Sequence, residues 1–222
     1  MSEPFLYLTV PGLEHYPHVA YTWVVMALFV LLTIAIRVSM KLIPSSAWHN
    51  GVEAVVVGLV ETMESNIGHG GKRFLPLLGT LAFFIFTANM IGLVPGCSSP
   101  TSNVNTNLAM ALTVFVVYNL IGIQKQGLFT YLKHFMGPVW WLSWLILPIE
   151  IISHLARPIT LSMRLFGNVK GEDLVVLILL FLVPLILPLF MMAFMVFTGL
   201  LQTVVFLLLT MSYLQGALVE EH

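Results

Sequence analysis

The chain has 222 residues, 59% of them hydrophobic and only 9% charged, against about 25% charged in an ordinary soluble domain. That balance places it in a membrane. Nine Lys and Arg against ten Asp and Glu leave a formal net charge of -1, with no basic tail, so nothing points to nucleic acid as a partner.

The opening stretch 1–18, MSEPFLYLTVPGLEHYPH, carries acids where a secretory leader has Lys or Arg, so no cleavage is expected there. A first span is predicted over residues 20–36, closed by Arg37 and Lys41. Residues 48–68 put Val52, Val55, Val56, Leu59, Val60, Met63 and Ile67 on one helical stripe, with Glu53, Glu61 and Glu64 mostly off it. This is the pattern of an amphipathic helix lying along a surface or against a partner, and not of a span. Two spans follow, 75–94 and 108–123, joined by a polar, uncharged loop around PGCSSPTSNVNTN. Cys97 in that loop is the only cysteine; it can form no internal disulfide and reads as a small loop residue.

From Leu174 to Val219 there is no Asp, Glu, Lys, Arg or His. At about 1.5 Å per residue this run is far longer than the roughly 30 Å of a bilayer core, so the chain must turn back within the apolar segment. Pro184 and Pro188 bracket VPLILP, and each removes a helix hydrogen bond. The turn is therefore predicted there, leaving two long segments, 140–183 and 189–217, the first strongly tilted or kinked at Pro158. The expected fold is an all-α membrane protein in one membrane-embedded domain, 1–222. It has about five transmembrane helices plus the surface helix, and the last two are long, tilted and paired as a hairpin. Arg37, Lys41, Lys72, Arg73, Lys125 and Lys133 flank two loops, whereas the stretch 1–18 and the 95–107 loop lack Lys and Arg. The positive-inside bias then predicts a multi-pass protein of the bacterial inner membrane, with its N-terminus outside and its C-terminus cytoplasmic.

The turn at the prolines moves the charges of HLARPITLSMRLFGNVKGEDL, residues 154–174, into the membrane. A helix advances about 100° per residue. Counted from Glu150, His154 then falls at about +40°, Arg157 at about -20°, Arg164 at about -40°, Asn168 at about 0° and Glu172 at about +40°. These six side chains share one seam. Charges at this depth cost several kcal/mol unless they pair or meet water. Pairing of Glu150 with His154 or Arg157 is one account of that end of the seam. Arg164 has no acid at three or four residues on either side, and an unpaired arginine in hydrocarbon calls for an anion from elsewhere. Arginine also keeps its charge where Lys or His could lose it, which suits a permanent positive barrier. On the last segment Gln202 is an amide that wants a partner on another helix.

Other motifs fail. GHGGKR, residues 68–73, lacks the first glycine and the Ser or Thr of a phosphate loop. Glu150 and His154 have ligand-like spacing without HExxH or Cys support, so neither a metal nor a cofactor is expected. No internal repeat of the kind transporters use is found.

The stretch TLSMRLFGN, residues 160–168, resembles subunit a of the membrane sector of F-type ATP synthases. VEAVVVGLVE, ANMIGLVPG, PTSNVNTNLAMAL and LLLTMSYLQGALVEEH extend the resemblance, in the family's order, over nearly the whole chain. The resemblance implies a proton-translocating stator subunit with no nucleotide site of its own. Its partners would be a ring of small hairpin subunits, each with a buried carboxylate, and the peripheral-stalk (b) subunits. It would provide two offset aqueous half-channels to the ring carboxylates. The family's essential arginine falls on Arg164, its inner acid on Glu150, its asparagine on Asn168 and its glutamine on Gln202. The family's outer glutamate aligns with Asp173, while the helical seam favours Glu172, and both stay open. His154 joins these residues as a member of the proton pathway. Where some relatives have a histidine, this chain has Met195, and Lys170 has no assigned role. Two readings of other classes remain: a stand-alone ion channel or secondary transporter, and an intramembrane enzyme using Glu150 and His154.

Overall fold

A computed structural model describes residues 17–39, 47–68, 70–94, 97–127, 141, 143–183 and 186–218. The expected N-terminal segment and the extreme C-terminus lie outside the described residues. Among the described residues six α-helices form: α1 (Pro17–Ser39), α2 (Ala47–Ile67), α3 (Leu75–Gly92), α4 (Val104–Gln126), α5 (Ser143–Leu182) and α6 (Ile186–Leu218). No strand occurs among them. Four stretches are long and apolar enough to cross a membrane: His18–Arg37, Gly71–Gly92, Val104–Lys125 and Ile186–Leu218. Helix α5 is not in that set, yet its 40 residues extend about 60 Å, enough to cross a bilayer core even at a strong tilt.

The surface helix turns most of its stripe inward. Met63 is fully buried, Leu59 and Ile67 pack against the same core, and Glu53, Glu61 and Glu64 stay outside it; Val55 is a stripe residue left exposed. The GHGGKR segment is the corner that turns α2 into α3. Gly68 and Gly70 have φ of 86° and 106°, which side chains disfavour. A Cβ on Gly71 would lie 2.9 Å from the Met63 carbonyl oxygen. Lys72 closes the corner with an ion pair to Glu64 at 3.0 Å.

At the opposite end, α4 begins ahead of the apolar run because Asn103, extended at φ -113°, caps it by accepting from the Asn105 N–H. The α3–α4 loop folds in over the bundle. Ser99, Thr101 and Ser102 are buried, and a Cβ on Gly92 would meet the Ser99 Cβ at 2.8 Å.

Helix α5 runs unbroken through Pro148 and Pro158. It ends at Leu182, α6 begins at Ile186, and the charges from Lys170 to Asp173 lie well inside α5. The last two long helices therefore form the expected hairpin, and both also pack on α4. The core joins Met63, Leu78, Ile85, Val114, Leu161, Leu165, Phe206 and Leu214. Much of the rest of α5 and α6 is apolar and exposed, including Ile152, Leu177, Phe181 and Phe190, as expected of helices whose surroundings are lipid or other subunits.

Candidate functional site

Pro158, Leu161, Ser162, Leu165 and Val169 are buried along α5, so the helix has a definite inward face. Arg164 lies on the flank away from it and is exposed. Among the described residues no ion pair or hydrogen bond engages Arg164, and no ion pair joins Glu150 to Arg157. Pairing within the seam thus does not accommodate Arg164. Thr160, Gly167 and Gly171 share Arg164's flank at helical spacing and are exposed. Added Cβ atoms on Gly167 and Gly171 would meet nothing within 4 Å.

Toward the C-terminal half of α5, Asn168 Nδ2 donates to Glu172 Oε1 at 3.0 Å, and the Thr198 hydroxyl of α6 faces the same carboxylate. Lys170 lies near enough to Asp173 for their charges to interact. A cavity of about 10 Å³ lies between α3, α5 and α6, lined by Asn89, Ser99, Asn168, Glu172, Asp173 and Gly199, among others. That is about the room one water needs. Both acids line it, so the two candidates for the outer proton carrier share one cavity.

Asn89 and the loop, which sequence reasoning missed, build the opposite wall. Thr101 Oγ1 donates to Asn89 Oδ1 at 2.7 Å, and Asn89 Nδ2 reaches the Gly199 carbonyl at 3.5 Å. Ser99 Oγ donates to the Ala88 carbonyl at 2.8 Å. The available signal was an asparagine inside an apolar span next to a polar, uncharged loop. Met195, Gly199, Gln202 and Phe206 recur at helical spacing on α6. Gln202 is half-buried on the continuation of the cavity face.

Toward the N-terminal half of α5, His154 Nε2 lies 2.8 Å from Asn119 Oδ1 and 3.1 Å from the Tyr118 hydroxyl of α4. The Arg157 guanidinium stands over the Tyr213 ring of α6 at 5.5 Å. Tyr118 and Tyr213 approach each other, with ring centroids 6.0 Å apart. Glu150, half-buried one turn before His154, belongs to the same end. Tyr118 and Asn119 could have been flagged as a polar pair inside the apolar run 108–123.

Along α5, Arg164 lies about 21 Å from the level of Glu150 and about 12 Å from that of Glu172. The exposed arginine stands between two polar ends. Among the described residues no group of three or more His, Cys, Asp and Glu gathers as metal ligands.

The family model described as ATP synthase A chain matches residues 19–215. The chain is 44% identical to ATP synthase subunit a 1 of Syntrophotalea carbinolica over 100% of both chains. It is 46% identical to ATP synthase subunit a of Nitratidesulfovibrio vulgaris (strain DP4), over 93% of this chain and 88% of that one. With ATP synthase subunit a of Solidesulfovibrio magneticus the identity is 48%, over 92% and 85%. The chain belongs to the ATP synthase A chain family.

Proposed function

We propose that the chain is the proton-translocating stator subunit of a bacterial F-type ATP synthase. Arg164 is the fixed positive barrier between two half-paths that serve carboxylates on a rotating ring of small hairpin subunits. The carrying observation is that Arg164 projects from the open flank of α5, engages no group of the described residues, and has Gly167 and Gly171 beside it. Small residues let another helix come close in a membrane. A ring carboxylate arriving there meets a permanent cation, which favours its ionised form by about 1.4 to 4 kcal/mol. The proton then leaves to one side only.

The half-path on the outer side is the cavity of Glu172 and Asp173, completed by Asn168 and Asn89 and continued toward Gln202. The inner one starts at Glu150. Lys and Arg in the α1–α2 and α2–α3 connections and after α4 orient the chain, with the N-terminus outside and the C-terminus cytoplasmic in the inner membrane. The peripheral-stalk subunits hold the chain against the turning ring.

Gly167→Cys, in a chain that also carries Cys97→Ser, tests the placement. In the assembled complex it should cross-link to a ring subunit, and Leu165→Cys, at a buried position, should not. Equal yields from both would contradict the reading.

A further inference from the structure

His154 joins α5 to α4. Asn119 Nδ2 donates to the Phe115 carbonyl at 2.6 Å, which leaves Oδ1 as the atom 2.8 Å from His154 Nε2. An amide oxygen only accepts, so Nε2 carries the hydrogen and donates it. The imidazole is also held edge-on by two rings of α4, with centroids at 5.2 Å to Phe115 and 5.3 Å to Tyr118. The groups facing it include Tyr118, Asn119 and Phe115 from α4, and Glu150 and Arg157 from its own helix. Tyr213 of α6 closes the cluster through Tyr118 and Arg157.

Most of the remaining inward face of α5 is apolar, chiefly Leu161 and Leu165. Apolar contacts give α5 its inward face but hold a rotational angle less tightly than a directional hydrogen bond does. Between membrane helices, where burial gives little drive, interhelical hydrogen bonds act beside van der Waals packing. Arg164 follows His154 by ten residues, about 80° around the helix. At the roughly 6 Å radius of the side-chain shell, a rotation of α5 by about 40° would carry the guanidinium about 4 Å sideways, enough to separate an ion pair.

We propose that His154 is a positioning residue that fixes the rotational phase of α5 by donating to Asn119, and so fixes the direction in which Arg164 points. The proposal rests on the reading of Arg164 as the barrier for its functional consequence, but the register itself can be measured separately.

The test uses the whole complex purified and reconstituted into liposomes, with His154→Leu, His154→Gln and Asn119→Leu. A nitroxide attached through Thr160→Cys, on Arg164's flank, reports the phase in a Cys97→Ser chain. Glutamine keeps an N–H donor within reach of Asn119 and cannot titrate. His154→Leu and Asn119→Leu should each lower ATP-driven proton pumping about tenfold, the scale of one interhelical hydrogen bond, and change the nitroxide's accessibility to a lipid-soluble relaxant. His154→Gln should restore both, with the pH profile of pumping unmoved. A glutamine variant as impaired as leucine, or one with a displaced pH profile, makes His154 a proton carrier and overturns the proposal. Normal pumping by both leucine variants, or an unmoved nitroxide in them, overturns it too. If His154→Leu does not assemble, Asn119→Leu reads the same bond from the other side. Normal pumping by Arg164→Ala would remove the barrier reading alone, since the nitroxide still decides the register.

Discussion

Glu172 and Asp173 are adjacent in sequence and point about 100° apart on a helix, yet both line one cavity. The choice between them stays open, because they share that one small cavity. Glu172 is held by Asn168, and Asp173 lies close to Lys170. Glu172→Gln and Asp173→Asn should each slow ATP-driven proton pumping several-fold and to different extents, because the two acids have different neighbours. The double variant should abolish it, and vesicles of the double variant that still pump would place the outer path elsewhere. The charged residues of the seam were legible because a charge in an apolar run stands out. Asn89, Tyr118 and Asn119 were not, since an uncharged polar side chain in a span gains meaning only from what it faces across the bundle. Spacing suggests Glu150 pairing with His154 or Arg157; the structure adds that the imidazole also reaches α4 and the guanidinium Tyr213 of α6.

The helices themselves were readable from hydropathy and prolines. Helix α5 ends at Leu182 and α6 begins at Ile186, in keeping with the argument that a turn at the charges leaves an apolar run too long for one crossing. The corner between α2 and α3 was less readable. GHGGKR invites a phosphate-loop reading, and only the packing shows why glycine stands at 71. A Cβ there meets backbone, the Met63 carbonyl at 2.9 Å, which cannot swing aside. Gly71→Ala should therefore destabilise the corner by about 1–3 kcal/mol, the scale of overpacking, seen as a lower thermal midpoint of the purified complex. Gly58→Ala, within α2 and with nothing within 4 Å, should leave the midpoint in place or raise it. Equal losses from both would mean that the effect does not come from the corner.

At the scale of the molecule, the bundle places an open, apolar flank carrying one arginine between two polar ends on opposite halves of one long helix. The arginine's isolation was visible in the sequence. That α4 and α6 close polar clusters at each end was not, because those contacts join residues far apart in the chain. The central claim is that this single charge lets protons pass only by way of an anion from another subunit. The direct measurement is proton flux in inverted vesicles carrying Arg164→Ala in an assembled complex, with ATP-driven pumping and passive leak recorded on the same preparation. The account predicts that pumping disappears while the complex stays intact. Pumping at the unmodified rate would contradict it.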